Sequence, residues 1–150
     1  MHNLKYRGKK EVGWYLGELM GAEFKKSFLF NTVDLIIPVP IHDKKRLKRG
    51  YNQSELIATG LARSLEVSID IKNLTKIRNT ESQTKKSRYE RWKNVESVFK
   101  IKDETLFENR HILLVDDVIT TGATIISCAQ TLKQIKGVKV SVASLAYAQG

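Results

Sequence analysis

Apolar positions in this chain change their spacing several times, and each change predicts an element. From about Lys9 to Phe30, the residues Val12, Leu16, Leu19, Met20 and Phe24 recur at helical intervals and predict an amphipathic helix. Gly13, Gly17 and Gly21 interrupt this pattern and lower its helix propensity. "TVDLIIPVP" reads as a short apolar strand closed by two prolines, which cannot donate to a ladder. A basic loop follows, after which "NQSELIATGLARSL" opens a second helix with Ile57, Leu61 and Leu65 as its stripe. Asn52 stands at the cap position, and Glu55, three residues on, predicts a capping box in which its side chain reaches back.

"EVSID", "LTKIR" and "SVFKI" read as strands, with a polar stretch over about 79–96 between the last two. "RHILLV" is apolar on both faces, as expected of a strand at the centre of a parallel sheet. "GATIISCAQTLKQIKG" predicts a helix with Cys128, Leu132 and Ile135 in line and Gly137 at its C-terminal end, and "VKVSVASLAYA" a closing strand. There is no internal repeat and no low-complexity segment. Alternating strands and helices predict one α/β domain over 1–150, with a largely parallel central sheet flanked by helices and an N-terminal helical segment over about 1–31. Ligands of such sheets bind beyond the carboxyl ends of strands, which selects the prolines after "DLII" and the acids after "HILLV".

At 150 residues and 41% hydrophobic, the chain is large enough for a single core without staples. No apolar run reaches the length of a membrane span, and the N-terminus lacks the apolar stretch of a secretory signal. With one cysteine, Cys128, no disulfide can form within the chain, so a reducing, cytoplasmic setting without membrane insertion is expected. Cys128 itself is expected in the core, and His2, His42 and His111 show no metal-ligand spacing. The net charge of +10 is concentrated upstream of His111, above all in "KKRLKRG" and "KIRNTESQTKKSRYERWK". A solvated surface explains such runs when they stand alone; next to a phosphate site they suit a polyanion.

The stretch "LLVDDVITTGAT" supplies that site. Asp116 and Asp117 repel one another at a strand end, which calls for a compensating partner. Gly122 permits a tight turn, the threonines bring hydroxyls, and the helix beginning near Ala123 aims its unpaired N–H groups at the same place, as an anion site requires. A ligand with hydroxyls on one side and phosphate on the other, such as a ribose 5-phosphate, satisfies both halves. A Walker B strand is excluded as an explanation because the chain has no G-x-x-x-x-G-K-[ST]. A phosphoacceptor receiver domain needs roughly a hundred residues after its acids, and only 33 follow Asp117.

"ILLVDDVITTGAT" resembles the phosphoribosyl-pyrophosphate (PRPP) motif of the type I phosphoribosyltransferases. "DLIIPVPIHDKKRLKRGYNQSELIATGLA", "RNTESQTKKSRYERWKNVESVF" and "LKYRGKKEVGWYLGELMG" resemble in turn the ComF-type competence proteins and their GntX-like relatives, over nearly the whole chain. Many of those relatives carry a four-cysteine zinc ribbon ahead of this point, and this chain has none.

The resemblance implies a type I phosphoribosyltransferase-like fold and specific roles. Asp116 and Asp117 would hold the ribose hydroxyls, and Thr120, Thr121, Gly122, Ala123 and Thr124 the 5-phosphate. The loop after the first core strand would take pyrophosphate, with Pro38 and Pro40 shaping it, amides of Val39, Ile41 and His42 donating, and Arg49 nearby. The stretch over 79–96 falls where the family's mobile active-site loop lies; its Arg88, with Asp116 and Asp117, is the catalytic candidate, alongside the cations Arg78, Lys85 and Arg91. Mg²⁺ would ride on PRPP oxygens rather than in a protein cage. Lys44, Lys45, Arg46, Lys48, Arg49 and Tyr51 are candidates for contacting single-stranded DNA. The implied function is a PRPP-binding protein of DNA uptake, with DNA-processing proteins or a second copy as further partners. The alternative is an active Mg²⁺-dependent transferase acting on a nitrogenous base or amine.

Overall fold

The computed structural model describes residues 2–78 and 98–149. Its centre is a four-stranded, wholly parallel sheet in the order β2 (Ser68–Ile69), β1 (Leu35–Pro38), β5 (His111–Ile119), β6 (Lys139–Tyr147). The "HILLV" run occupies the interior of this sheet, and alternate residues feed two cores. Ile37, Ile112 and Leu114 pack with Cys128 and Leu132 of the last helix, α4 (Ala123–Lys133), and with Phe107. Ile36, Leu113 and Val115 face the other way, against Ile57, Ala58 and Leu61 of α3 (Gln53–Leu65).

The strand "RHILLV" was expected to end at Val115, but β5 runs on through both acids to Ile119. The neighbour explains this: β1 stops pairing at Pro38 opposite Val115, whereas β6 continues, with Asp116 opposite Ser144 and Val118 opposite Ala146. The acids therefore lie beyond the end of one neighbouring strand while still held by the other. At its opposite end β5 is anchored by the buried His111, whose Nδ1 lies 2.8 Å from Thr32 Oγ1 and Nε2 2.7 Å from Ser141 Oγ. "LTKIR" and "SVFKI" contribute β3 (Leu74–Lys76) and β4 (Phe99–Ile101), a separate antiparallel pair outside the parallel sheet. Asn73 fastens its end through two reciprocal 2.8 Å hydrogen bonds with the Asp103 backbone.

The N-terminal helix α1 spans His2–Phe24, beginning earlier and ending earlier than the apolar pattern predicts. It stops where the chain turns back so that Phe24 stacks on Phe30, ring centroids 4.0 Å apart. Its buried face also differs from expectation: Val12, Leu16 and Leu19 are exposed, and Gly17 and Gly21 are buried. A Cβ on Gly17 would strike the Ile57 carbonyl, and one on Gly60 the Trp14 carbonyl, so glycines on both helices let α1 and α3 touch backbone to backbone. Met20 and Phe24 are the members of the expected stripe that pack toward the core.

Asn52 caps α3 as expected, its Oδ1 accepting from the Ser54 N–H at 3.1 Å. Glu55 does not complete the capping box; its carboxylate accepts from Arg46 Nη2 at 2.7 Å instead, because folding delivers a cation nine residues away. The basic segment expected as a loop is a short helix, α2 (Asp43–Arg49), which His42 caps at one end and Gly50, at φ 81°, closes at the other. Gly137 lies beyond α4 rather than at its end, in a left-handed turn against Asn109.

Candidate functional site

The acids are held from three directions. Ser54, buried in the first turn of α3, donates its hydroxyl to Asp116 Oδ1 at 2.9 Å, and the Asp117 backbone N–H donates to the same oxygen at 2.9 Å. Asp117 Oδ1 accepts from the Val118 N–H at 2.8 Å. Burial raises the pKa of the Asp116 carboxyl; the Ser54 and Asp117 hydrogen bonds oppose that rise, and the negative Asp117 adds to it. A ligand that donates hydroxyls to this pair relieves the repulsion between the two acids.

Residues 120–124 wrap the start of α4. Gly122 takes φ 79°, a conformation that favours glycine, and brings no side chain to cap the helix. Thr121 Oγ1 accepts from the Ala123 N–H at 3.3 Å, which leaves the next first-turn amides, those of Thr124 and Ile125, pointing out of the helix end. Asp116, Thr120, Thr121, Gly122, Ala123 and Thr124 line a concavity of about 50 Å³. Its size, hydroxyls and positive helix end suit one phosphate group.

A second cavity, of about 170 Å³, opens from the same acids toward β1. Val39, Pro40, Ile41, Lys45 and Arg49 are among its walls, with Asp116, Asp117 and Thr124 on the other side. The structure thus brings together the ribose, phosphate and pyrophosphate residues expected from sequence, with one correction. The Val39 N–H is already spent on the Val115 carbonyl at 2.8 Å, because the sheet ladder extends one residue past Pro38, and the Val39 carbonyl accepts from Asn52 Nδ2 at 3.0 Å. Ile41 and His42 are the other two amides of the expected set, and both residues stand in the same loop after β1. Arg88, Lys85 and Arg91 lie outside the described residues.

Three residues that sequence reasoning passed over belong to the site: Ser54 and Gln53 on α3, and Lys76 on β3, which lines the same cavity as Arg49. Ser54 carried a signal in its place in the first turn after a cap; Lys76 carried none, since only the fold sets β3 beside the acids. Of the basic group on α2, Lys44, Lys48 and Arg49 are exposed and Arg46 is engaged by Glu55. Tyr51 is half-buried with Lys10 Nζ 5.9 Å above its ring, and lines a different cavity. Cys128 is fully buried and its thiol is pushed up to about 12, chiefly by burial and then by the Asp116 charge, so it is a core residue and no nucleophile. Among the described residues no three His, Cys, Asp or Glu side chains gather as a metal cage, and no helix is long and apolar enough to cross a membrane.

A parallel sheet covered on both faces, its central strand carrying paired acids into a threonine–glycine turn at a helix start, is the architecture of a type I phosphoribosyltransferase. The backbone superimposes on adenine phosphoribosyltransferase from Saccharomyces cerevisiae with a TM-score of 0.60 at 15% identity, covering 92% of this chain and 69% of that one. The family model described as the phosphoribosyl transferase domain matches residues 52–150, and the chain belongs to that family. Its relatives include the DNA utilization protein YhgH of Escherichia coli O157:H7, 33% identical over 135 residues, which are 88% of this chain and 59% of that protein. Competence protein F of Haemophilus influenzae is 32% identical over 126 residues, 83% of this chain and 55% of that protein. The chain therefore spans less than two thirds of the length of these relatives.

Proposed function

We propose that this chain is a PRPP-binding member of the ComF competence group and that it serves DNA uptake. The observation that carries the reading is the meeting of three complementary pieces at one strand end: the Asp116–Asp117 pair, the phosphate-sized concavity at Gly122, and the cavity walled by Ile41, Lys45 and Arg49. In this arrangement Asp116 and Asp117 accept the ribose 2- and 3-hydroxyls, while Thr120, Thr121, Thr124 and the helix amides hold the 5-phosphate. The Ile41 and His42 amides and Arg49 hold the pyrophosphate. Mg²⁺ would suit the pyrophosphate end, because it is commonly bound through one or two carboxylates and substrate phosphates rather than by an all-protein cage, and when bound there it would neutralise leaving-group charge.

The link to DNA uptake is supported by the names of the relatives and by the exposed cations of α2, which begin next to the pyrophosphate loop. Single-stranded DNA and the proteins that process it are the corresponding partners, and the cytoplasm the corresponding compartment. ³¹P spectra of PRPP with Mg²⁺ test the ligand assignment. Added protein should perturb both the 5-phosphate and the pyrophosphate resonances, and unperturbed spectra at excess protein would sink it.

One observation favours retained catalysis, the alternative reading. A cavity of about 700 Å³ adjoins Asp117 and shares Gln53 and Asp117 with the cavity walled by Ile41 and Arg49, which gives a second substrate room beside the ribose. A nitrogen nucleophile there would complete an Mg²⁺-dependent phosphoribosyl transfer.

A further inference from the structure

A groove of about 530 Å³ separates the chain from Pro38 to Arg46 on one side from the β3–β4 ribbon on the other. It shares Pro40, Ile41, Asn52 and Lys76 with the smaller cavity that holds Asp116 and Arg49, so the two adjoin along those residues. Lys76, at the end of β3, stands at the junction. At the other end of the ribbon the Lys102 N–H donates to the Asn73 carbonyl at 3.0 Å, which sets Lys102 beside Lys72. Both of these lysines are exposed, and both line the groove.

The balance of charge favours an anion. The acids lining the groove are Asp43 and Glu55, and Glu55 accepts from Arg46 Nη2 at 2.7 Å. The carboxylates flanking the ribbon serve its turns: Asp70 accepts from the backbone N–H groups of Lys72 and Asn73, and Asp103 from that of Thr105. Four residues separate Lys72 from Lys76, up to about 13 Å along a strand. One phosphate cannot meet both ends of such a row, whereas a chain of linked phosphates can. Between and beside the lysines lie apolar surfaces: Ile71 is 40% exposed and Ile77 50%. A nucleic-acid strand presents both partners, phosphates for the cations and base faces for the isoleucines. The groove has the volume of a small-molecule site, which admits a few linked nucleotides of one strand but not a duplex.

We infer that this groove is the track of a single DNA strand, which passes Lys72 and Lys102 and sets a phosphate at Lys76, so that the strand and PRPP exclude one another at their shared walls. The inference rests on the DNA and PRPP readings proposed above and adds where the strand lies and how the two ligands are coupled. Exclusion is reciprocal: PRPP weakens the strand by the same factor as the strand weakens PRPP. Lys44 and Lys48 of α2 do not line the groove, so a path along that helix and a path along the ribbon are separable by mutation.

Fluorescence anisotropy of a labelled oligothymidylate, titrated at several salt concentrations, tests the track. Lys72→Gln/Lys102→Gln should lose about tenfold or more in affinity, and its slope of log K against log salt should fall by about 1.4, roughly 0.7 for each phosphate contact. Lys133→Gln/Lys136→Gln removes the same charge around the C-terminal end of α4, away from the groove, and should leave both quantities unchanged. All four side chains are exposed, so both variants should fold. Saturating PRPP with Mg²⁺ should release the strand from the wild type. Equal losses in the two double variants, or an unchanged slope in Lys72→Gln/Lys102→Gln, would overturn the track while leaving DNA binding itself in place. A strand that stays bound when calorimetry shows PRPP bound would overturn the exclusion. A wild type that binds no strand removes the DNA reading and the track together; one that binds the strand but not PRPP removes the PRPP reading, and the lysine comparison still decides the track.

Discussion

Ser54 Oγ lies 2.9 Å from Asp116 Oδ1, a hydrogen bond between residues 62 positions apart that joins the first turn of α3 to the strand carrying the acids. Asn52, which caps the same turn, also donates to the Val39 carbonyl in the loop that follows β1. One helix start therefore sets the spacing between the two halves of the site.

Ser54→Ala should weaken PRPP binding by about tenfold, since a buried acceptor that loses its donor costs about 1–3 kcal/mol. The pH dependence gives a sharper test. Burial raises the Asp116 pKa and the Ser54 hydroxyl lowers it, so without that hydroxyl the carboxyl keeps its proton to a higher pH. If, as proposed, the carboxylate form accepts the ribose hydroxyls, the acid limb of the affinity profile should move to higher pH in Ser54→Ala and return in Ser54→Thr. Titrations across the acid range would show an unmoved limb if Ser54 only fills space.

The glycine seam predicts a stability effect far from the acids. Gly17→Ala places a Cβ against the Ile57 backbone, and Gly60→Ala places one against Trp14, where no side chain can swing away. Overpacking of this kind costs about 1–3 kcal/mol. Urea midpoints should fall in both variants, whereas Gly8→Ala, with nothing nearby, should leave the midpoint unchanged or raised.

His111 predicts the pH dependence of stability. Burial, followed by the charge of Lys139, lowers its pKa below the ordinary 6.5, against the opposing effects of Thr32 and Asp34. With the folded value below the unfolded one, the unfolded chain binds more protons in that window. The stabilisation is then complete above about 6.5 and is lost as pH falls through the folded value. Unfolding free energies from pH 7.5 down to 5 should decline in the wild type and be flatter in His111→Gln. Equal slopes would remove His111 as the cause.

The exposed cations of α2 set a salt dependence. If single-stranded DNA lies along Lys44, Lys48 and Arg49, each phosphate contact removed by alanine should reduce the slope of log K against log salt by about 0.7. An unchanged slope in the triple variant would make α2 a solvated surface.

Much of this architecture was legible from contiguous signals. "HILLV" announced a central strand, Asn52 announced a cap, and "DDVITTGAT" keeps its acids, turn and helix start within one short segment. What escaped depended on partners distant in sequence. Glu55 was expected to bond locally and found Arg46; Val39 was expected to offer an amide already taken by Val115; β5 outran its apolar run because β6 supports it. Apolar spacing also misassigned α1, since hydrophobicity marks Val12 and Leu16 as buried while the contact is made by glycines, which periodicity ignores. The Val12 and Leu16 side chains, left in the open, are among the walls of the cavity beside Asp117.

The central claim is that Asp116 and Asp117 hold the ribose of PRPP while the Gly122 turn holds its phosphate. Calorimetric titration of the wild type and of Asp116→Asn/Asp117→Asn with PRPP in the presence of Mg²⁺ tests it most directly. The account predicts saturable one-to-one binding by the wild type and a loss of at least about a hundredfold in the double variant, of the order expected when two charge-assisted hydrogen-bonding groups are removed. Binding that survives the double substitution, or a wild type that releases no heat and shows no saturation, would contradict it.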